Sequence, residues 1–135
     1  MRPVYETQLP WEDFGVTFVG DPHTFKVPAL TQQLADDLKD ATERGDRLVI
    51  WGDISEWIVP SDSKRYTNAK HNRDVDDVVG HEIKRLADFY EPYVNNIEIM
   101  KLGNHETEFM KRHYVDPMRM LIDELNRRRD QSRPS

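Results

Sequence analysis

Short apolar runs alternate along the chain with longer segments in which apolar residues recur every three or four positions. The short runs are rich in β-branched and aromatic residues, and we predict a strand in each: 15–20, 46–53 and 96–106. The second and third runs are almost continuously apolar. This character predicts strands that are covered on both faces of a sheet.

Helical spacing of apolar residues follows each predicted strand, and we predict helices over 29–45, 73–94 and 107–129. Pro28 suits the start of the first helix. The last helix is expected to break near Asp116–Pro117, because proline disfavours helix in the residue before it. Residues 54–72 show no period and predict a long loop, and loops of this length in compact domains are often functional.

The resulting order, β-α-β-loop-α-β-α, predicts an α/β fold with a mainly parallel sheet and right-handed crossovers. We divide the chain into an N-terminal extension over 1–14, an α/β domain over 15–126 and a charged tail over 127–135. The tail is rich in arginine and is expected to be disordered and solvated.

Composition narrows the class of protein. The chain has 135 residues, of which 33% are charged and 37% hydrophobic, as in a single folded domain. The formal net charge of −6 argues against broad binding of a nucleic-acid backbone, although it leaves room for a local basic patch. No apolar run is long enough to predict a membrane span or a signal peptide. The absence of cysteine excludes disulfides and thiol nucleophiles, and we expect a cytoplasmic setting.

Polar residues of one kind follow all three predicted strands. The first strand leads into Asp21 and His23, the second into Asp53, and the third into Asn104 and His105. Carboxyl ends of parallel strands lie at one edge of a sheet, where ligand sites form, so these side chains are expected to converge. Asn104 alone could also be a plain helix N-cap.

These residues combine carboxylate, imidazole and amide groups, a set that suits Mn²⁺, Fe²⁺ or Zn²⁺ better than Mg²⁺ alone. Asp21 and His23 are two residues apart, so an extended backbone would point both side chains the same way. An aspartate between two half-sites can bridge two ions about 3.5–4 Å apart, which together activate water for phosphoryl displacement. The pattern therefore indicates a site for two divalent metal ions.

The motifs D-x-H, G-D and G-N-H-[DE], present here as 21–23, 52–53 and 103–106, resemble those of the calcineurin-like metallophosphoesterases. The resemblance implies a four-layer α/β/β/α sandwich, of which this chain would supply about half. It also implies that Asp21 and His23 bind the first metal, Asp53 bridges both metals and Asn104 binds the second. The implied catalytic residue is His105, which would contact the phosphate or protonate the leaving group.

The chain also departs from the family pattern, because no G-H-x-H motif occurs in it. Only part of the ligand set is therefore present, and the role of Glu56 is unassigned. His71, His81 and His113 are expected to be structural or solvated, with His113 the first alternative for a missing ligand. We expect one of three situations: an N-terminal piece of a longer protein, half of a split enzyme completed by a second chain or copy, or a reduced homologue. In each, the isolated chain should expose apolar surface where a second sheet would pack.

The predicted loop carries a group of basic residues, which could simply be solvated or could contact a phosphate or nucleic acid beside the active edge, through Lys64, Arg65 and His71. Of the two tryptophans that flank Asp53, Trp51 is expected in the core and Trp57 along the substrate cleft. The first functional hypothesis is hydrolysis of a phosphomonoester or phosphodiester, weak in the isolated chain. The alternative is a non-catalytic module that binds phosphate, nucleotide or a partner at a vestigial metal site.

Overall fold

A computed structural model describes residues 14–57 and 75–132 of the chain. Three strands form one parallel sheet in the order β1-β2-β3: β1 (Val16–Gly20), β2 (Arg47–Trp51) and β3 (Ile97–Lys101). The helices are α1 (Pro28–Glu43), α2 (Val75–Tyr90), α3 (Asn104–His113) and α4 (Pro117–Ser132), and a 3₁₀ turn, Glu91–Tyr93, precedes β3. The predicted α/β class and parallel sheet are confirmed.

The core lies between the sheet and the helices, on one face of the sheet. Leu48 and Ile50 of β2 are fully buried there against residues of α1, α2 and α4, among them Leu38, Leu86 and Leu121. The two crossovers, β1-α1-β2 and β2-α2-β3, advance in the same direction along the sheet, and crossovers of one hand then place both helices on the same side. Among the described residues, helices therefore cover one face of the sheet.

The other face carries four apolar side chains that remain exposed, and we call this surface the open face. Val16 is 41%, Phe18 71%, Trp51 49% and Ile99 43% exposed. The strand register places these residues side by side, since Phe18 pairs with Val49 and Val49 with Ile99. The prediction of strands covered on both faces is wrong at Trp51 of β2 and Ile99 of β3, as is the core position predicted for Trp51, whereas Val49 between Phe18 and Ile99 is buried. The expectation that the chain exposes apolar surface is confirmed.

The C-terminal region follows the prediction at one point and departs from it at another. The break near Asp116–Pro117 is confirmed: α3 ends at Tyr114 in a left-handed conformation, with φ of 56°, and α4 begins at Pro117. The predicted disordered tail is wrong for 127–132, which continue α4. Arg128 fixes this part, because its guanidinium lies 2.7 Å from Asp88 Oδ1 in α2.

Candidate metal centre

The loop after β1 runs beside the loop after β2 and is held there by backbone hydrogen bonds. Asp21 N donates to Trp51 O at 2.8 Å, and His23 N donates to Asp53 O at 2.9 Å. Thr24 N continues the series by donating to Ile54 O at 2.8 Å. The parallel pairing of the two strands thus extends into the loops and brings His23 next to Asp53.

Two glycines allow the end of β3 to approach Asp53. A Cβ atom on Gly103 would overlap Asp53 N and would lie 2.6 Å from Asp53 Oδ1 and 2.7 Å from Gly52 Cα. Gly52 has φ of +70°, a conformation that side chains rarely adopt, and a Cβ there would lie 3.1 Å from Asp21 Oδ1. The glycines of the G-D and G-N-H motifs therefore let two strand ends meet backbone to backbone.

His23, Asp53 and His105 come together at this point, and we call them the His–Asp–His group. One ligand atom from each lies within 4.8 Å of the other two. His23 Nε2 is 3.8 Å from Asp53 Oδ2, and His105 Nδ1 is 3.2 Å from Asp53 Oδ1. The two imidazole rings meet edge to face with centroids 5.0 Å apart. The group could hold a metal ion, and it is the one such cluster of histidine and carboxylate side chains in the described residues.

Glu56 contacts the outward nitrogen of each histidine. Its Oε1 atom contacts His23 Nδ1, and its Oε2 atom lies 3.3 Å from His105 Nε2. An ionised carboxylate only accepts hydrogen bonds, so the protons belong on His23 Nδ1 and His105 Nε2. The inward nitrogens, His23 Nε2 and His105 Nδ1, are then left with lone pairs that face Asp53. Metal-binding histidines commonly have their second nitrogen held by a carboxylate in this way.

The inward nitrogen of His105 gives an independent test of whether a cation suits the group. His105 Nδ1 is buried and makes no hydrogen bond despite its 3.2 Å approach to Asp53 Oδ1. A buried polar atom without a partner is costly. A divalent cation among the three side chains would satisfy this nitrogen, the His23 nitrogen and the Asp53 carboxylate together, so the donor set fits a metal.

Charge around Glu56 favours its ionised form. Burial alone would raise the pKa of Glu56, but contacts with His23, His105 and Lys26 outweigh it and hold the pKa below its ordinary value. Lys26 Nζ lies 3.6 Å from Glu56 Oε1 on an exposed side chain at the rim. Lys26 N also donates to His23 O at 3.0 Å, which closes a turn in the loop.

Asp53 also caps the helix that follows β3. The N-cap residue of α3 is Gly103, which has no side chain, and Asp53 Oδ1 accepts the His105 backbone N–H at 2.7 Å instead. The helix N-terminus carries partial positive charge, and a side-chain oxygen that accepts its N–H groups stabilises the helix. Asn104 is exposed at the first position of α3 and is not the N-cap, so that simpler interpretation of Asn104 is wrong.

Backbone strain is concentrated in the two loops that carry the group. Non-glycine residues with positive φ number six in the described parts of the chain, and five lie within residues 21–25 and 53–57. They include His23 at 40° and Asp53 at 42°. Each such residue costs on the order of 1–3 kcal/mol, and this strain clusters at functional sites. Because Asp21 also has positive φ, at 47°, the extended backbone expected to align Asp21 with His23 is not present.

A buried polar layer lies beneath the group. Glu106 is fully buried, and its Oε1 atom accepts the Ile54 N–H at 3.1 Å, whereas its Oε2 atom has no hydrogen bond. Burial raises the pKa of Glu106, and the neighbouring Asp53 charge adds to this. Thr24 Oγ1 and Tyr90 OH share a hydrogen bond of 2.8 Å. These hydrogen bonds fix Ile54 and Thr24, the residues that directly follow Asp53 and His23 in the sequence.

The structure brings together three of the five predicted strand-end residues. Asp21 lies beside Gly52 and is not part of the His–Asp–His group. The role of Asn104 as a metal ligand stays a prediction. His105 lies inside it, whereas the family resemblance implies a position outside the metal ligands. Trp57 is 4% exposed and packs against Phe109 with centroids 6.0 Å apart, so the prediction that it lines an open cleft is wrong. Lys64, Arg65 and His71 lie outside the described residues.

Sequence reasoning missed the roles of Glu56 and Lys26 and proposed a role for His113 that the group does not include. Glu56 follows Asp53 by three residues, and this spacing was the available signal. His113 packs its ring on Phe109, with ring centroids 4.6 Å apart, near the C-terminal end of α3.

Comparisons with known proteins add no relative: no family model, curated protein or solved structure matches the chain. None of the helices in the described residues has the length and apolar character needed to cross a membrane.

Proposed function

We propose that the chain is a metal-dependent phosphoesterase whose metal is held by His23, Asp53 and His105. The observation that carries the proposal is the convergence of two imidazole lone pairs and one carboxylate, with Glu56 holding both rings from behind. Two histidines and one carboxylate are a common ligand set for Zn²⁺ and other transition-metal ions. An ion held by these three side chains would keep a position for substrate or water.

When bound, such an ion polarises a phosphoryl oxygen and lowers the pKa of a water molecule. The side chains of this protein have separate tasks. Asp53 balances the positive charge, and Glu56 keeps His23 and His105 in the tautomers that face inward. Lys26 lies at the rim with its ammonium group near Glu56, where it can contact a phosphate oxygen of a phosphomonoester or phosphodiester.

Calorimetry with Mn²⁺ and Zn²⁺ tests the site directly. We expect binding near one ion per chain that is lost in Asp53→Asn and His23→Ala. His81 is exposed on α2 and outside the group, so His81→Ala is the matched control and should bind normally. Absence of binding in the unmodified protein, or equal binding in all three variants, would sink the assignment.

Hydrolysis of an aryl phosphomonoester and an aryl phosphodiester in the presence of Mn²⁺ tests the reaction. We expect slow turnover that Asp53→Asn abolishes and His81→Ala does not change. Slow turnover is expected because the described residues supply one three-residue group, whereas a two-metal mechanism uses two ions. The same observation favours a second candidate, a phosphate-binding module without catalysis, which metal binding without any turnover would support.

A further inference from the structure

We infer that the open face is the interface through which two copies of this chain form a symmetrical dimer. The inference concerns the sheet and does not rest on the metal site. The four exposed apolar residues of the open face come from three neighbouring strands: Val16 and Phe18 from β1, Trp51 from β2 and Ile99 from β3. They therefore form one continuous surface.

The size of this surface argues that it is covered in solution. A fully exposed aromatic side chain presents roughly 150–250 Å² of accessible surface, and a valine or isoleucine presents somewhat less. Multiplied by the exposed fractions, the four residues together present roughly 400 Å² of apolar surface. The largest apolar patch on a typical soluble monomer is roughly 300–600 Å² and is often functional, and this surface falls in that range. Two such faces, with the backbone and side-chain stems between them, approach the total of about 1,000 Å² that a specific interface needs.

The charged side chains that border the open face, Arg47 and Lys101, lie at the ends of their strands, and each contacts a neighbour on the same chain. Lys101 Nζ lies 3.6 Å from the centroid of the Trp51 ring, and Arg47 Nη1 lies 3.4 Å from Glu98 Oε1. Two copies could pack these faces about 10 Å apart, as in a β-sandwich, without burying an unpaired charge at the centre. A second copy is thus a chemically matched partner, because an apolar face without central charge is complementary to itself.

The test uses the absence of cysteine in the chain, which allows a single introduced thiol to report on each surface. Ile99→Cys places the thiol on the open face. Leu30→Cys is the matched control, because Leu30 is 66% exposed on α1, the helix side of the sheet. Maleimide labelling of each variant is followed across protein concentrations, and sedimentation velocity gives the mass at each concentration.

We expect the mass to rise from one to two chains with concentration. Labelling of the Ile99→Cys variant should become roughly ten-fold slower over the same range, because an interface core excludes solvent. Labelling of the Leu30→Cys variant should not change. Adding Phe18→Asp to the Ile99→Cys variant should keep it monomeric and rapidly labelled, since burial of an unpaired charge is costly. Circular dichroism checks that this double variant is folded.

Two results would overturn the inference. Slow labelling of the Ile99→Cys variant at every concentration in a monomer would mean that another part of the same chain covers the open face. Fast labelling of that variant at every concentration, again in a monomer, would mean that the face is bare. If Phe18→Asp unfolds the chain, Val16→Asp at the edge of the same surface provides the same comparison with less disturbance of the core.

Discussion

Glu56 contributes to the candidate metal centre from behind the two histidine rings, not as one of the three proposed ligands. Each of its oxygens meets a different histidine, Oε1 at His23 and Oε2 at His105, so one side chain sets the orientation of both rings. A carboxylate can do this because both of its oxygens are acceptors. Glu56 therefore takes part in the site although it lies in the loop, three residues after Asp53.

Glu56→Gln is expected to lower the affinity for Mn²⁺ by about 10–100-fold, the usual effect of removing a residue that orients metal ligands. The amide has one acceptor oxygen and one NH₂ group, so one histidine must change tautomer or rotate and can no longer direct a lone pair inward. Calorimetry measures the change. Glu108→Gln, at an exposed position on α3, is the control. Unchanged affinity in Glu56→Gln would remove Glu56 from the site.

The raised pKa of Glu106 makes the stability of the folded protein depend on pH. Its folded-state pKa is raised above the ordinary value of 4.5, first by burial. The folded protein therefore binds the Glu106 proton more tightly than the unfolded chain does, so this contribution to stability is present at low pH and is lost as pH rises above about 4.5. Glu106→Gln is neutral at every pH and keeps an acceptor for the Ile54 N–H. We expect denaturant titrations to show it more stable than the unmodified protein at pH 7 and similar at pH 4.

Glu108→Gln serves again as the comparison, since an exposed glutamate should give no such difference. Equal pH profiles for Glu106→Gln and the unmodified protein would contradict the raised pKa.

At the residue scale the sequence predicted His23, Asp53 and His105 correctly as neighbours, because each lies at or just after the end of a strand. It misplaced Trp51, because the one-dimensional pattern does not tell which face of a strand is covered. It misplaced Trp57, because the sequence of a loop does not reveal a contact with a distant helix, here with Phe109 of α3.

At the scale of elements, the close approach of two strand ends depends on Gly103. Gly103→Ala should separate the start of α3 from Asp53, because the added Cβ meets backbone and carboxylate atoms that have no room to move. We expect loss of metal binding together with lower stability, measured by calorimetry and by denaturant titration. Normal Mn²⁺ affinity in this variant would show that the close approach is unnecessary.

Gly80 in α2 is the matched comparison for Gly103. A Cβ on Gly80 would meet nothing within 4 Å. Alanine is favoured over glycine inside a helix, so Gly80→Ala should stabilise the protein by about 0.5–1 kcal/mol and leave metal binding unchanged. A destabilising effect of both substitutions would indicate that glycine matters for reasons other than space.

The end of α4 shows what element prediction missed. High charge suggested a solvated tail, but Arg128 bonds Asp88 in α2 and Glu124 within α4, at 2.7 Å and 2.9 Å. Arg128→Ala should therefore lower the melting temperature more than Arg127→Ala, since the hydrogen bonds of Arg127 to Glu124 and Gln131 stay within its own helix. Thermal unfolding followed by circular dichroism measures both. Equal melting temperatures would mean that the Arg128 contacts do not stabilise the packing of α4 on α2.

At the scale of the whole molecule, the order of elements predicted the fold class because alternating strands and helices have few parallel arrangements. The same order could not reveal the open face. That surface follows from two crossovers that turn the same way, and apolar runs such as that of β3 resemble strands buried on both sides. The position of the site at the strand ends was likewise predictable, whereas the absence of Asp21 from the group depended on local backbone geometry, since its φ is positive.

The three side chains of the His–Asp–His group come from three separate segments, the loops after β1 and β2 and the start of α3. A bound cation would link these segments and stabilise the whole fold, by about 2.7 kcal/mol at a concentration one hundred times the dissociation constant. We therefore expect Mn²⁺ to raise the melting temperature of the unmodified protein, and Mg²⁺ to raise it less because imidazole ligands favour transition metals. Asp53→Asn should show no increase with either ion, and His81→Ala should respond as the unmodified protein does. An equal increase in Asp53→Asn would place the ion elsewhere and contradict a centre built from these three residues.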